Sequence, residues 1–335
     1  MNSISLIIPT YNRIEFLDKI LKKVLANKFH ALQEIIIVDS KSKDGTHELL
    51  NNYKKDSSIL IHYENTINSI SSKRNKGIEI ANSDILIFID DDCVPQDNFF
   101  EHHYDACIKN EYQINCGNIF FSKKDIINSN FIKYRNSRHI PFLNYDNNPK
   151  ILDFQHIVTM NMSLRKKDLL SKKIYFDESF IGYGMEDNYF GLQAQKAGFK
   201  IVTNQAGICH FDYKGIDLHA LKLYHTARGG VTQFIKLDKD KVWDLNYSYY
   251  LEKDYPHKYY FIKFLMKVVR LLLNFKISYL LLNILKITDK YSFLYFKVIY
   301  RYVCAAYYLK GIRDRVVESS NKDKLKDWYA EKPNN

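Results

Sequence analysis

The sequence predicts an α/β fold built on a mostly parallel sheet, and three observations carry that expectation. Short apolar runs at 4–10, 34–39, 59–64 and 85–90 alternate with helix-period segments through the first 100 residues. The runs are unbroken rather than alternating, as strands covered on both faces must be. The last of them empties into Asp90, Asp91 and Asp92, where the chain leaves the sheet and where α/β proteins bind ligands.

The elements follow in order. ISLIIPT (4–10) is a strand ending at Pro9 and Thr10, and residues 14–27 place Ile14, Leu17, Ile20, Leu21, Val24 and Leu25 on one helical face. EIIIVD (34–39) is a second strand; Asp44, Gly45 and Thr46 then supply a turn and a helix cap. ILIHYE (59–64), a short helix over 70–81 and ILIFID (85–90) complete a βαβαβ series with right-handed crossovers. No glycine-rich fingerprint follows the first strand and no G-x-x-x-x-G-K is present, so phosphates would need another partner. Beyond lie a helix (97–110), a strand (113–121) and a polar stretch, 122–153, read as loop with some helix. A strand (156–164), FDESF (176–180), the loop GYGMED (182–187), a helix (188–197), a strand (200–204) and AGICHFDY (206–213) follow. A linker is expected near 236–256 and a charged, frayed tail from 316.

The chain has 335 residues, 46% hydrophobic and 26% charged, enough for one large domain or two smaller ones. Its five cysteines are scattered without a C-x-x-C pair, and the opening MNSISLIIPT runs almost directly into a strand. Free thiols and no visible leader lead us to expect a cytosolic location. The net charge of +11 is concentrated: residues 256–315 hold twelve Lys/Arg against Asp289 and Asp314, a net of +10. That basic segment is also the greasiest, so anionic lipid is the expected partner and nucleic acid is not. Over 259–285, Lys263, Lys267, Arg270 and Asn274 share one face of a single expected interfacial helix, and 291–310 repeats the pattern with Tyr. No apolar run of about 18 residues is free of charge, so a spanning helix is not expected. The competing reading packs both helices on the catalytic part or on a second subunit, as in a homodimer.

Three adjacent carboxylates repel one another and are tolerable only if solvated or neutralised by a cation. PTYNR (9–13), Asp39 with DGT close behind, KRNKGI (73–78), IDDD (89–92), GMED (184–187) and His210 stand in an order that resembles the family 2 glycosyltransferases of the GT-A fold. The resemblance covers about residues 3–215, and GYG-x-ED is similar to the GWG-x-ED loop of galactosyl- and N-acetylgalactosaminyltransferases and polysaccharide polymerases, with Tyr183 in the Trp place. It implies a GT-A nucleotide-diphospho-sugar transferase fold: a catalytic domain over 1–235, divided into a nucleotide-binding half (1–100) and an acceptor half (101–235). A helical basic extension (236–315) and a charged tail (316–335) would follow.

The resemblance implies that Pro9, Thr10, Tyr11, Arg13 and Glu15 line a uridine pocket and that Asp39 accepts from a uracil N–H. Alternatively Asp39 is a turn or cap residue and Glu15 a first-turn residue favoured by the helix dipole. Arg74 would stack on or bond the nucleotide, or else lie on the helix surface beside Lys73 and Lys76. The family's D-x-D maps onto Asp90 and Asp92, with Asp92 on a metal and Asp90 or Asp91 facing ribose or water. His210 would be a further ligand, or a structural histidine; Mn²⁺ or Mg²⁺ suits these donors. Asp187 would be the general base and Glu186 an orienting group on sugar hydroxyls, with Tyr183 and Gly184 at the sugar; equally, the ED pair complements a helix dipole. The function so implied is an inverting, metal-dependent transfer from a UDP-sugar to a glycan or lipid-linked glycan in surface polysaccharide synthesis, at the inner membrane face. A nucleotidyltransferase would carry a glycine-rich basic loop after the first strand, which PTYNR is not. A non-catalytic membrane adaptor would have no reason to keep Asp92, Asp187 and His210 together.

Overall fold

A computed structural model describes residues 2–27, 29–143, 149–211, 215–245 and 260–315. In chain order the elements are β1 (Ile4–Pro9), α1 (Ile14–Ala26), β2 (Leu32–Asp39), α2 (Thr46–Asp56), β3 (Leu60–Asn65), α3 (Ile70–Ile80), β4 (Ile85–Ile89) and β5 (Cys93–Pro95). Next come α4 (Phe99–Lys109), β6 (Gln113–Phe120), α5 (Lys123–Asn128), α6 (Asn130–Leu143), β7 (Ile151–Leu152), β8 (Asn161–Arg165), α7 (Lys166–Ser171), α8 (Glu186–Lys196) and β9 (Lys200–His210). The remainder is α9 (Ile216–His225), α10 (Val231–Leu237), α11 (Tyr260–Leu272), α12 (Phe275–Thr288) and α13 (Lys297–Arg313).

Two compact units divide the chain. The first comprises Met1–Ser122, Arg138–Glu178 and Asp187–Asp212, and the second Lys123–Ser137, Ser179–Glu186 and Tyr213–Asn335. The first unit holds an α/β sheet in the order β3-β2-β1-β4-β8-β6-β9-β5, with β7 on β9. The strands from β3 to β4 are parallel, as expected, and β8 joins β4 antiparallel. On one face Leu17, Ile20, Leu21 and Val24 of α1 meet the even-numbered Ile4, Leu6 and Ile8 of β1 and Phe99 and Phe100 of α4, all essentially dry. Each such side chain contributes roughly 1.5–3 kcal/mol of transfer free energy. On the other face α3 lies close to β1: a Cβ on Gly77 would stand 2.4 Å from Ile7 Cγ2. Only glycine permits that approach, and it carries Arg74, one turn earlier, to the ends of the strands.

Several local expectations needed correction. The stretch 122–153 contains all of α5 and α6, because its polar residues cover helix surface rather than loop. The segment 156–164 splits into a 3₁₀ turn, Phe154–His156, capped by Asp153, and β8. KIVTN and AGICH form one strand, β9, through an irregularity in its pairing with β6. The expected single helix over 259–285 breaks before Asn274, whose Oδ1 accepts from the Ile277 amide at 3.2 Å and caps α12. In the second unit the apolar face of α13 is consumed by packing: Tyr300, Val303, Tyr307, Tyr308, Leu309 and Ile312 are buried. Of the expected linker, 236–245 holds the end of α10 and a 3₁₀ turn, while 246–256, like the tail 316–335, lies outside the described residues. Among the described residues no helix is long and apolar enough to cross a membrane.

Beneath the sheet, His103 of α4 is fully buried, with Nδ1 2.8 Å from Ser163 Oγ and Nε2 2.9 Å from Asn161 Oδ1. Burial holds its pKa down at about 4, against an ordinary 6.5. The unfolded chain therefore takes up a proton between pH 6.5 and 4 that the folded chain refuses, and stability falls as pH falls through that window. Between pH 7 and 4.5 the wild type should lose about 2 kcal/mol more than His103→Gln in denaturant titrations. Equal losses in the two proteins would refute the assignment.

Candidate active site

The C-terminal edge of the parallel strands gathers the polar residues of the first unit. Thr10 N donates to Val38 O and Thr66 N to Asp39 O, both at 2.9 Å, so β1, β2 and β3 end in register. Beside them β4 turns through Asp90, Asp91 and Asp92 into β5.

The sequence asked for water or a cation to quiet this triplet, and the chain brings two guanidiniums of its own. Arg13 Nη1 lies 3.0 Å from Asp91 Oδ1 and 2.8 Å from Asp92 Oδ2, and Thr10 Oγ1 donates to Asp91 Oδ2 at 2.8 Å. Arg74 Nη2 lies 3.1 Å from Asp90 Oδ1, and its Nη1 donates to Asp187 Oδ1 at 2.7 Å. At 2% exposure Arg74 is no surface residue: its planar fork joins the triplet to Asp187. Thr159 Oγ1 donates to Asp187 Oδ2 at 2.6 Å, fixing the carboxylate from its other side. Lys73 is buried as well and donates through Nζ to Thr10 O at 2.8 Å and Asn68 Oδ1 at 3.2 Å.

Crowding of like charge in a dry place shows in the proton affinities. Burial pushes Asp91 up to about 6, with Arg13 opposing. Asp90 is raised by loss of water, with repulsion from Asp92 and Asp187 added and Arg74 opposing. Burial brings the Lys73 ammonium down to about 8, while Asp91 and Asp39 pull it back up.

His210 reaches the cluster through strand pairing. β5 runs antiparallel to the end of β9, with Cys93 opposite His210 and Phe211 N donating to Asp92 O at 3.1 Å. His210 Nε2 then stands 3.6 Å from Asp92 Oδ1, both side chains about one-tenth exposed. A carboxylate oxygen and an imidazole nitrogen are a donor set for a borderline divalent ion. Bonds of about 2.1 Å to a common ion set two donors roughly 3–3.6 Å apart, so the pair fits such an ion. Among the described residues no group of three or more His, Cys, Asp or Glu is arranged to hold a metal by itself, and further donors would come from the ligand.

The remaining expected residues are placed less directly. Asp39 is buried with both oxygens engaged by its own neighbourhood: Ser40 N (2.7 Å) and Ser42 Oγ (2.6 Å) donate to Oδ1, and Ser42 N (2.9 Å) and Tyr63 OH (2.7 Å) to Oδ2. Four donors fill the acceptor capacity of a carboxylate, so a base N–H would have to replace one of them. Pro9 is buried at the end of β1, Glu15 is exposed in the first turn of α1, and Tyr11 is exposed with the Lys73 ammonium 5.6 Å from its ring centre. Asp187 lies in the first turn of α8 rather than in a loop, and Glu186, which opens that helix, is buried.

Tyr183, Gly184 and Glu186 belong to the second unit. There Gly184 has φ +86°, and a Cβ would stand 2.6 Å from Thr226 Oγ1, so the position is closed to other residues. Met185 follows at φ +76°, a left-handed conformation that costs a side-chain-bearing residue about 1–3 kcal/mol. The Tyr183 ring faces the Lys222 ammonium at 5.2 Å.

Sequence reasoning missed Thr159, Lys73, Ser42 and Tyr63. Lys73 had a readable signal, since it stands four residues before Gly77 on the close-packed face of α3. Thr159 had none; only the pairing of β8 with β4 brings the chain before Asn161 beside the end of β4.

A family model described as "Glycosyl transferase family 2" matches residues 5–172. The glycosyltransferase YfnE of Bacillus subtilis is 24% identical over 241 residues, 58% of this chain and 60% of its own length. The GalNAc(5)-diNAcBac-PP-undecaprenol beta-1,3-glucosyltransferase of Campylobacter jejuni is 32% identical over 94 residues, 28% of this chain and 30% of its own. This chain thus spans less than two thirds of either relative. Among solved structures, GalNAc-T7 with UDP, GalNAc and Mn²⁺ superposes with a TM-score of 0.52 at 13% identity, over 72% of this chain and 54% of that one, a likeness of fold.

Proposed function

The chain belongs to glycosyl transferase family 2, and on that premise we propose that it transfers a hexose or N-acetylhexosamine from a UDP-sugar to a glycan or lipid-linked glycan, with inversion and with a divalent metal. The observation that carries this reading is Arg74, which joins the acidic triplet to Asp187 so that a leaving-group site and a base adjoin. Asp187 takes the proton of the acceptor hydroxyl as that oxygen attacks the anomeric carbon and the bond to the diphosphate breaks. Thr159 and Arg74 hold its two oxygens, which fixes the direction of the remaining lone pairs. One displacement with one base inverts the anomeric centre.

Charge balance supports the metal. Asp90, Asp91, Asp92 and Asp187 against Arg13, Arg74 and Lys73 leave the site one negative charge, and a diphosphate adds more. Asp92 and His210 would hold Mn²⁺ or Mg²⁺, which when bound neutralises charge on the departing nucleoside diphosphate. Asp39 with the turn through Ser42, together with Thr10, Tyr11 and Arg13, forms the side where uridine would lie. Glu186, Tyr183 and Gly184 would serve the sugars. The work would be done at the inner face of a membrane, where surface polysaccharides start.

A panel of nucleotide sugars, with and without Mn²⁺, scored for release of free nucleoside diphosphate, tests the reading. We expect metal-dependent turnover of one UDP-sugar, lost by about 10²-fold or more in Asp92→Ala. No turnover and no metal-dependent nucleotide binding across the panel would overturn it.

A further inference from the structure

We infer that the exposed stripe of α12, with Phe293, Phe296 and Val298 beyond it, seats this chain on an anionic lipid bilayer. The break at Asn274 leaves α12 apolar on two sides. Ser278, Leu282 and Leu285 are buried within the second unit. Ile277, Leu280, Ile284 and Ile287, three, four and three residues apart, lie on another side and are 50%, 61%, 46% and 72% exposed. The chain then presents Phe293 at 78%, Phe296 at 52% and Val298 at 71%. A helix apolar on all sides is ordinarily buried, and a continuous exposed apolar strip marks a contact surface.

Charge decides the occupant. Lys276, Lys290 and Arg301 are exposed along this stretch, and Lys297 is half-buried. Its acid, Asp289, is turned inward: Oδ1 accepts from Phe131 N at 2.7 Å and Oδ2 from Ser129 Oγ at 2.6 Å. A second copy would bring two segments of net +10 together, which self-repulsion opposes. An anionic headgroup layer neutralises the cations while the stripe enters the acyl boundary, and Tyr279 and Tyr291, both exposed, suit the interface between them. The face of α13 that would have served is already buried, so that helix contributes little beyond Val298 to the attachment surface.

This inference extends the reading of an acceptor met at a membrane, and vesicle binding needs no turnover, so the two fail separately. The full chain is sedimented with phosphatidylcholine vesicles, with and without phosphatidylglycerol, at low and high salt. We expect binding only where anionic lipid is present, weakened by salt. The pair Ile284→Gln with Ile287→Gln should weaken it by about tenfold or more, and Lys276→Gln with Lys290→Gln by about fivefold per lysine. Phe293→Ala, at a largely exposed turn, gives an independent apolar test. No binding to anionic vesicles, or binding indifferent to all these substitutions, overturns the inference. So does a dimer in solution that the α12 substitutions dissociate.

Discussion

Asp187→Asn is expected to lower kcat by about 10³-fold while KM for the donor changes by no more than about threefold. Asparagine keeps the shape and can still accept from Thr159 through its amide oxygen, but it gives up the ion pair to Arg74, so its loss of rate is read beside that of the Arg74 variants below. Asp187→Glu keeps the charge but moves it by a methylene past two fixed partners, and should recover little of the rate. Steady-state kinetics on the donor found in the nucleotide-sugar panel, with circular dichroism as the folding control, decides the matter. A kcat within about tenfold of wild type would remove Asp187 from the role of base and leave the proton to another group.

Arg74→Met should cost about 2–3 kcal/mol of stability as well as activity. Removing one partner of a buried ion pair typically costs about 3–5 kcal/mol, because the surviving charge is left in a dry site. Here two carboxylates survive, but each is about 30% exposed, which lowers the figure. Loss of the guanidinium also sends Asp90, already raised, higher still. Arg74→Lys offers one point charge where a planar fork spanned two carboxylates, so it should restore only part of either effect. Denaturant titration read beside nucleotide binding checks this. A midpoint unchanged in Arg74→Met would mean that the carboxylates repack or take up water at no cost, and that the link between triplet and base is dispensable.

Much of this arrangement was legible in one dimension. Unbroken apolar runs give the parallel strands, because a strand covered on both faces cannot alternate. The acidic triplet announces a cation, because three charges on adjacent residues cannot lie idle. Local pattern failed where two distant segments share a surface. It gave 122–153 too little helix, because helices resting on protein by a narrow face look polar. It drew one helix through Asn274, where the side chain instead caps the Ile277 amide and starts a new helix.

Pattern along the chain is enough for the class of fold and for the candidate residues at the strand ends. Which cations hold which carboxylates is set across the fold. Arg13 pairs with Asp91 and Asp92, and Arg74 with Asp90 and Asp187, the latter because helix α3 rests against β1 at Gly77. Tertiary contact likewise puts His210 by Asp92, through the pairing of β5 with β9, and leaves α12 rather than α13 with an open apolar face. The physical reason is common to all three. Charge pairing and burial depend on distances across the fold, and a linear pattern records only which side chains are available to meet.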